Sequence, residues 1–332
     1  MRYRAISSAG IQASVIGVGT AAIGGTDPGA PLDDRQSIRA IHAALDHGVN
    51  LIDTAPSYGW GHAEEVVGQA ISDRREKVII ATKCGIWWQD QRGSYNGTKN
   101  GKETYVSLRP DTIAIEIENS LKRLGVEHID LLQCHKPAIP PEETPVEETM
   151  DCLMGLKQQG KIRAIGVSNV SIKQLEHYRK AGDLDSNQFR YSMLSRDPEL
   201  EMLPHCKKHK VATLTYWSLE YGLLTGKLGA EHVFPNHDFR ATSGKWLPWF
   251  KAGNRGRLEN MFAGWSDLTS KYDSGIAEIC LAWTAAQTGV THTLCGIRTP
   301  EQAIQNSKAG QVILEEEEIN RIDLDLLKLG DP

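Results

Sequence analysis

What most limits the folds open to this chain is an alternation that runs from residue 15 to residue 308. Short apolar, β-branched runs stand at 15–18, 50–52, 78–82, 129–134, 162–167, 187–189, 211–215 and 293–295. Amphipathic segments lie between them at 36–47, 63–71, 111–124, 146–159, 172–180, 199–209 and 276–287, and a last one at 300–308 begins on Pro300, a residue helix N-termini favour. Strand-length runs alternating with helix-length patterns predict βαβ units and a parallel sheet. An open doubly wound sheet and a closed barrel both meet that description. Eight pairs, with no composition shift that would mark a linker, predict a single (α/β)8 TIM barrel domain over residues 1–332. A short N-terminal β-hairpin turning around Ser8 to Gly10 is expected ahead of it. Long loops are expected after strand 3, at 85–108, and after strand 7, at 229–260, both on one rim.

The strand ends carry the functional signal. In chain order they offer Gly19 and Thr20, Asp53, Lys83, His135, Ser168 and Asn169, Gln188, Tyr216, and Gly296 with Arg298. Any one of these is readily a satisfied loop polar group. Eight in register, at the end where barrels assemble active sites, are hard to attribute to chance. Asp53 closes the buried run Leu51–Ile52, and a carboxylate there is costly unless a cation meets it; Lys83 is the candidate. Tyr58 lies on the loop just beyond. A phenol with its ordinary pKa of about 10 can donate a proton but seldom takes one back. An ammonium about 4 Å away attracts the phenolate by roughly 4 kcal/mol at an effective dielectric near 20, so Lys83 is expected to lower the phenol by up to about three units. Asp53 would hold Lys83, and His135 would hydrogen-bond the oxygen that Tyr58 protonates, which is equipment for carbonyl reduction. Taken singly, Lys83 could be a structural partner of Asp53 and His135 a capped strand end.

Other signals exclude functions. A net charge of -5 gives no basic field, so nucleic acid and anionic membrane are not expected partners. The six cysteines show no C-x-x-C spacing, which argues against a zinc ribbon, a redox pair or a disulfide framework and favours a cytoplasmic protein. No signal-like N-terminus or membrane-length apolar window is present. The run G-V-G-T-A-A at 17–22 resembles a dinucleotide fingerprint, but Gly24, Gly25, Asp27, Pro28 and Gly29 follow where a helix should start and no acid stands at the required spacing, so a Rossmann-type dehydrogenase is disfavoured. His205 and His209 have the spacing of a metal pair, yet Lys207, Lys208 and Lys210 around them predict a solvated face, and no metal is expected. Glu315 to Glu318 read as the acidic first turn of a C-terminal helix.

The chain resembles the aldo-keto reductases across nearly its whole length. The resemblance rests on G-V-G-T-A-A at 17–22, L-I-D-T-A-P-S-Y-G at 51–59, A-T-K at 81–83, S-L-K-R-L-G-V-E-H-I-D-L-L-Q-C-H at 120–135, G-K-I-R-A-I-G-V-S-N at 160–169, Y-G-L-L-T-G-K-L at 221–228 and G-I-R-T-P-E-Q-A-I-Q-N at 296–306. It implies reduction of a small-molecule aldehyde or ketone with NADPH/NADP+, and a catalytic tetrad of Asp53, Tyr58, Lys83 and His135. It implies further that Gly19, Thr20, Ala21 and Asp53 border the cofactor and that Ser168, Asn169 and Gln188 hold its carboxamide. Tyr216 would then stack on the nicotinamide, with Trp217, Ser218, Leu219, Gly226 and Lys227 along the pyrophosphate and Gly296, Arg298, Gln302 and Asn306 toward the adenosine. Particular to this chain are Lys136 after His135 and the pair Trp87–Trp88, which are candidate substrate contacts beside Tyr58 and His135 and, with Trp246 and Trp249, candidate walls for a sugar. Because relatives of these enzymes also serve as cofactor-binding regulatory subunits of membrane channels, that role is the alternative. Monomer and homo-oligomer remain equally open on this reading.

Overall fold

The computed structural model describes residues 1–6, 10–25, 33–99 and 101–332. Strands β1 (Tyr3–Ala5) and β2 (Gln12–Ser14) pair antiparallel in the expected hairpin. Its turn at Ser8 lies outside the described residues, as do Asp27, Pro28 and Gly29. The chain then runs β3 (Ile16–Gly19), α1 (Asp34–Asp46), β4 (Leu51–Asp53), α2 (His62–Ile71) and β5 (Ile79–Cys84), followed by the short strands β6 (Ile86–Trp87), β7 (Ser94–Lys99) and β8 (Lys102–Val106). Next come α3 (Pro110–Leu124), β9 (Ile129–Cys134), α4 (Val146–Gln158), β10 (Ile162–Ser168), α5 (Ile172–Ala181), β11 (Ser186–Arg190), α6 (Met202–His209) and β12 (Ala212–Tyr216). The remainder is α7 (Ala252–Ala263), α8 (Ser266–Lys271), α9 (Ile276–Ala286), β13 (His292–Gly296), α10 (Pro300–Lys308) and α11 (Glu316–Leu329).

Eight of these strands close into a parallel barrel in the order β3-β4-β5-β9-β10-β11-β12-β13, with β13 returning to β3. Local chemistry starts the helices where the pattern predicts. Asp33 accepts the Gln36 N–H ahead of α1, Ser171 and Gln174 form a reciprocal cap on α5, and Thr299 accepts the Gln302 N–H ahead of α10. Glu315 and Glu318 cap α11 in the same reciprocal way, as the acidic run implies. Inside the barrel the layer of Leu51, Ala81, Leu131, Ala164, Ala212, Leu214 and Leu294 is closed from below by Ile6, Ile11 and Ala13 of the hairpin. Gly17 belongs to this tight layer, since a Cβ there would lie 2.8 Å from Leu294 Cδ2. Outward-facing strand residues pack on the helices in a larger apolar shell.

Both long segments follow the third and seventh barrel strands as expected, and each holds regular structure of its own. Residues 86–106 hold a three-stranded antiparallel sheet, ordered β6-β8-β7. Its strands S-Y-N-G-T-K and K-E-T-Y-V are polar on both faces, so they lack the alternation that betrays a half-buried strand. The 229–260 segment contains short 3-10 turns and then α7, which continues to Ala263; Gly253 and Gly256 dilute its helical pattern.

Candidate active site

The strand period of two assembles the site. On β5, Ala81 faces the barrel interior with Lys83 above it, while Thr82 points out to the helices; on β4, Leu51 is succeeded by Asp53, and on β9, Leu131 by Gln133. An apolar floor therefore carries a polar layer one step nearer the C-terminal rim. Lys83 Nζ donates to Asp53 Oδ1 at 2.6 Å, to the Thr54 carbonyl at 2.9 Å and to Tyr58 Oη at 3.3 Å. The other carboxylate oxygen of Asp53 accepts from Gln133 Nε2 at 3.1 Å and Gln188 Nε2 at 2.8 Å. Lys83 and Asp53 are only 1% and 3% exposed, so the ion pair is fully desolvated and every ammonium proton has an acceptor.

Tyr58 is placed by glycine. Gly59 has φ +64, and Gly24 packs so closely that a Cβ on it would sit 2.6 Å from the Tyr58 carbonyl carbon. The loop beyond β4 can thus fold against the loop beyond β3 and turn the phenol toward Lys83. The rings of Tyr58 and His135 meet edge to face with centroids 5.9 Å apart, and Ser57 Oγ lies 3.5 Å from His135 Nδ1. Burial pushes the Tyr58 phenol above its ordinary pKa, and the pull of Lys83 in the other direction is smaller. This corrects the expectation of a lowered phenol: the desolvation that strengthens the ammonium's field also penalises the phenolate. Burial lowers Lys83, but Asp53 and Tyr58 together outweigh it, and the net direction is up. The imidazole of His135 is held well below its ordinary value by burial, then by Lys83, Lys136 and Lys99. At neutral pH the three groups are a neutral phenol, an ammonium and a neutral imidazole, so His135 can donate an N–H but carries no proton to give away.

A second group lies beside the first. Asn169, at φ +60, donates to the His135 carbonyl at 3.1 Å and to Ser168 Oγ at 3.0 Å, and accepts the Tyr216 hydroxyl at 2.8 Å. Amide and hydroxyl groups clustered beside a flat phenol ring are a chemical match for a carboxamide and an aromatic ring, so these residues fit a nicotinamide. Gln188 is drawn lower, with its amide on Asp53 and on Gln133 Oε1 at 3.2 Å. Thr20 donates both N–H and hydroxyl to the Asp53 carbonyl at 3.0 Å, with exposed Ala21 next to it; Gly19 pairs in register with Asp53 on one side and Gly296 on the other. Trp217 meets the edge of Tyr216 and is covered on another side by the Arg190 guanidinium, 4.9 Å from its ring. Ser218 is buried with its hydroxyl turned to Thr215, while Leu219 is half-buried, and Gly226 has φ +72 beside exposed Lys227. Arg298 stands exposed at the start of α10, where its N–H donates to Gln302 Oε1 at 2.9 Å; Asn306 donates to the Gly296 carbonyl at 3.3 Å.

The candidate substrate residues divide. Trp87 is 1% exposed, with its N–H on Asp90 at 2.7 Å and the Arg92 guanidinium 4.8 Å above its ring; it is the core of the inserted sheet rather than a wall of an open site. Trp88 does reach the Tyr58 loop, where it meets Trp60 with centroids 5.4 Å apart. Lys136 is tied to Asn96 Oδ1 at 3.1 Å. Trp249 is buried under Arg257, and Trp246 stacks on Phe239. Sequence reasoning missed Gln133, Trp60 and Asn96. Gln133 had a signal, since a polar residue two before His135 in L-L-Q-C-H must share its face; Trp60 and Asn96 had none.

The aldo/keto reductase family model matches residues 15–324. The chain is 37% identical over 318 residues to the NADH-specific methylglyoxal reductase of Escherichia coli strain K12, covering 95% of each. It is 38% identical over 309 residues to the aldo-keto reductase YhdN of Bacillus subtilis strain 168, covering 91% of this chain and 86% of that one. The solved structure of the glycerol dehydrogenase AKR11B4 from Gluconobacter oxydans superposes with a TM-score of 0.83 at 36% identity, over 96% of this chain and 93% of the other. With the closed barrel, the match along its length and relatives of this identity, the chain belongs to the aldo-keto reductases, a family of nicotinamide-dependent oxidoreductases.

Proposed function

We propose that this enzyme reduces a small aldehyde or ketone with NADPH, Tyr58 giving the proton and His135 holding the carbonyl oxygen. The observation that carries the reading is the sharing of Lys83 Nζ between Asp53 and Tyr58. When bound, the nicotinamide supplies the hydride. What the chain contributes is the developing alkoxide's surroundings: a neutral imidazole N–H, a phenol that stays protonated, and an ammonium that stabilises the phenolate left behind. Asp53 keeps Lys83 in place and compensates its charge, and Gln133 and Gln188 keep Asp53 from turning. Ser168, Asn169 and Tyr216 would hold the carboxamide and the ring. Trp60 and Trp88 form an aromatic edge beside Tyr58 that suits a short hydroxylated or sugar-derived carbonyl, and the activities for which the relatives are named, methylglyoxal reduction and glycerol dehydrogenation, support a small polar substrate. Tyr58→Phe is expected to keep cofactor affinity and lower carbonyl reduction at least about a hundredfold, read as NADPH absorbance with a panel of aldehydes, ketones and sugars. Turnover close to that of the wild type would remove Tyr58 from the mechanism.

The choice of NADPH rests on Arg298 with the Thr299-capped start of α10, where a guanidinium and the positive end of a helix could meet a 2′-phosphate. NADH is the second reading, and two observations favour it. The Asp238 carboxyl, held low chiefly by hydrogen bonds from Arg240, also feels Arg298 as a smaller influence, so an acid lies within the guanidinium's field; and the Escherichia coli relative is named NADH-specific. Fluorescence titration separates them. If a 2′-phosphate is held, Arg298→Ala weakens NADPH by about ten- to a hundredfold and leaves NADH unchanged; equal losses, or none, speak for NADH.

A further inference from the structure

Far from the rim, the structure overturns one reading of the sequence. His205 and His209 lie on a half-buried rather than a freely solvated face: their side chains are 18% and 25% exposed, and they pack against Glu176 of the neighbouring helix α5, itself 31% exposed. The two rings sit one turn apart on α6, with centroids 4.6 Å apart. Glu176 Oε1 is 2.7 Å from His205 Nε2 and 4.0 Å from His209 Nε2, and one ligand atom from each of the three residues falls within a 4.8 Å span.

We propose that Glu176, His205 and His209 bind Zn2+ and that the ion staples α5 to α6 on the outside of the barrel. Zinc holds imidazole nitrogen and carboxylate oxygen at about 2.0–2.2 Å in a tetrahedron, which puts neighbouring ligand atoms about 3.4 Å apart. The observed separations bracket that value, so small side-chain rotations admit the ion without moving either helix. Two imidazoles four residues apart on one helix, completed by a carboxylate from another helix, leave the fourth position to water. The set of two nitrogens and one oxygen suits Zn2+ better than Ca2+ or Mg2+, which prefer oxygen alone.

Two features set the strength. The Arg179 guanidinium also contacts Glu176 Oε1, so it competes with the ion for that oxygen, and Lys208 adds positive charge near His209. Both weaken the site, and the affinity expected is micromolar. The histidine–carboxylate pairs His62 with Asp34 and His177 with Glu147 bring one imidazole each and serve as internal controls for loose surface binding.

The test is calorimetric titration of ZnCl2 into chelator-treated protein at pH 7.5. One ion per chain is expected, with a rise in the thermal midpoint at saturating zinc. His209→Ala and Glu176→Gln should each weaken binding at least about tenfold and reduce the zinc-dependent rise in midpoint at a fixed zinc concentration, whereas Arg179→Gln, which frees the carboxylate, should tighten it. Both histidine and glutamate variants lie at the surface, and their fold is checked by the midpoint without metal. No heat with the wild type overturns the proposal. So does binding that is unchanged in His209→Ala and Glu176→Gln, which would mean an adventitious ion only.

Discussion

Strand β5 presents two consecutive polar residues to two ion pairs built on buried carboxylates, one on each side of the barrel wall. Lys83 turns inward to Asp53; Thr82 turns outward to Glu64, which lies on α2 and also accepts from Ser120 at 3.2 Å and from Arg123, whose Nη2 is 2.6 Å away. Both carboxylates are buried and bonded on both oxygens. The difference lies in the cation. Arg123 spends its contacts inside the outer cluster, on Glu64 and Ser120, whereas Lys83 gives one bond to the acid, one to a carbonyl and one to a phenol that faces the cleft. A closed pair can hold helices together; only a pair that leaves one donor pointing at a proton-bearing group can do chemistry.

The sharpest way to break the comparison is to remove each cation or acid in turn. Lys83→Met should lower carbonyl reduction about a thousandfold, with alcohol oxidation hit hardest because it needs the phenolate, while cofactor binding persists; stopped-flow rates in both directions check it. Equal, mild losses would show the inner pair to be structural after all. Glu64→Gln should do the reverse. It leaves Arg123 short of a counter-charge and is expected to cost about 2–4 kcal/mol of stability in urea unfolding, with turnover per folded molecule unchanged.

A third, smaller effect sharpens the contrast. Glu116 on α3, close to the outer pair, accepts the Gly85 N–H at 2.8 Å on one oxygen, while the other has no protein partner among the described residues. Burial pushes its carboxyl up to about 8, with Glu64 adding to the rise. Between its ordinary value and about 8 the unfolded chain has lost this proton and the folded one keeps it, so folding stability falls as pH rises, by up to about 1.4 kcal/mol per pH unit. Glu116→Gln should remove that slope between pH 6 and 7, read from denaturant midpoints at each pH. An unchanged slope would mean that Glu116 ionises as freely folded as unfolded.

Much of this was legible in the chain itself. The barrel followed from counting apolar runs and helix-length patterns, because periods of two and 3.6 residues are local properties of the backbone. The location of Asp53, Lys83 and His135 at strand ends, and of Tyr58 just beyond, followed from the same count. What tertiary structure alone decided were quantities that depend on surroundings. The direction of the Tyr58 shift turned on how completely the phenol is desolvated, and no spacing encodes that. Trp87 and Trp88 are neighbours in sequence, yet Trp87 is the core of a small sheet, held there by pairing with Tyr105, while Trp88 lies just past the end of that strand and meets Trp60. The pairing of β7 with β8 could not be read from polar strands, and the meeting of Glu176 with two histidines of another helix required the helices to be packed first. Sequence determined the order of the elements because hydrophobic periodicity is local; structure determined burial and partnership because both are sums over residues distant in the chain.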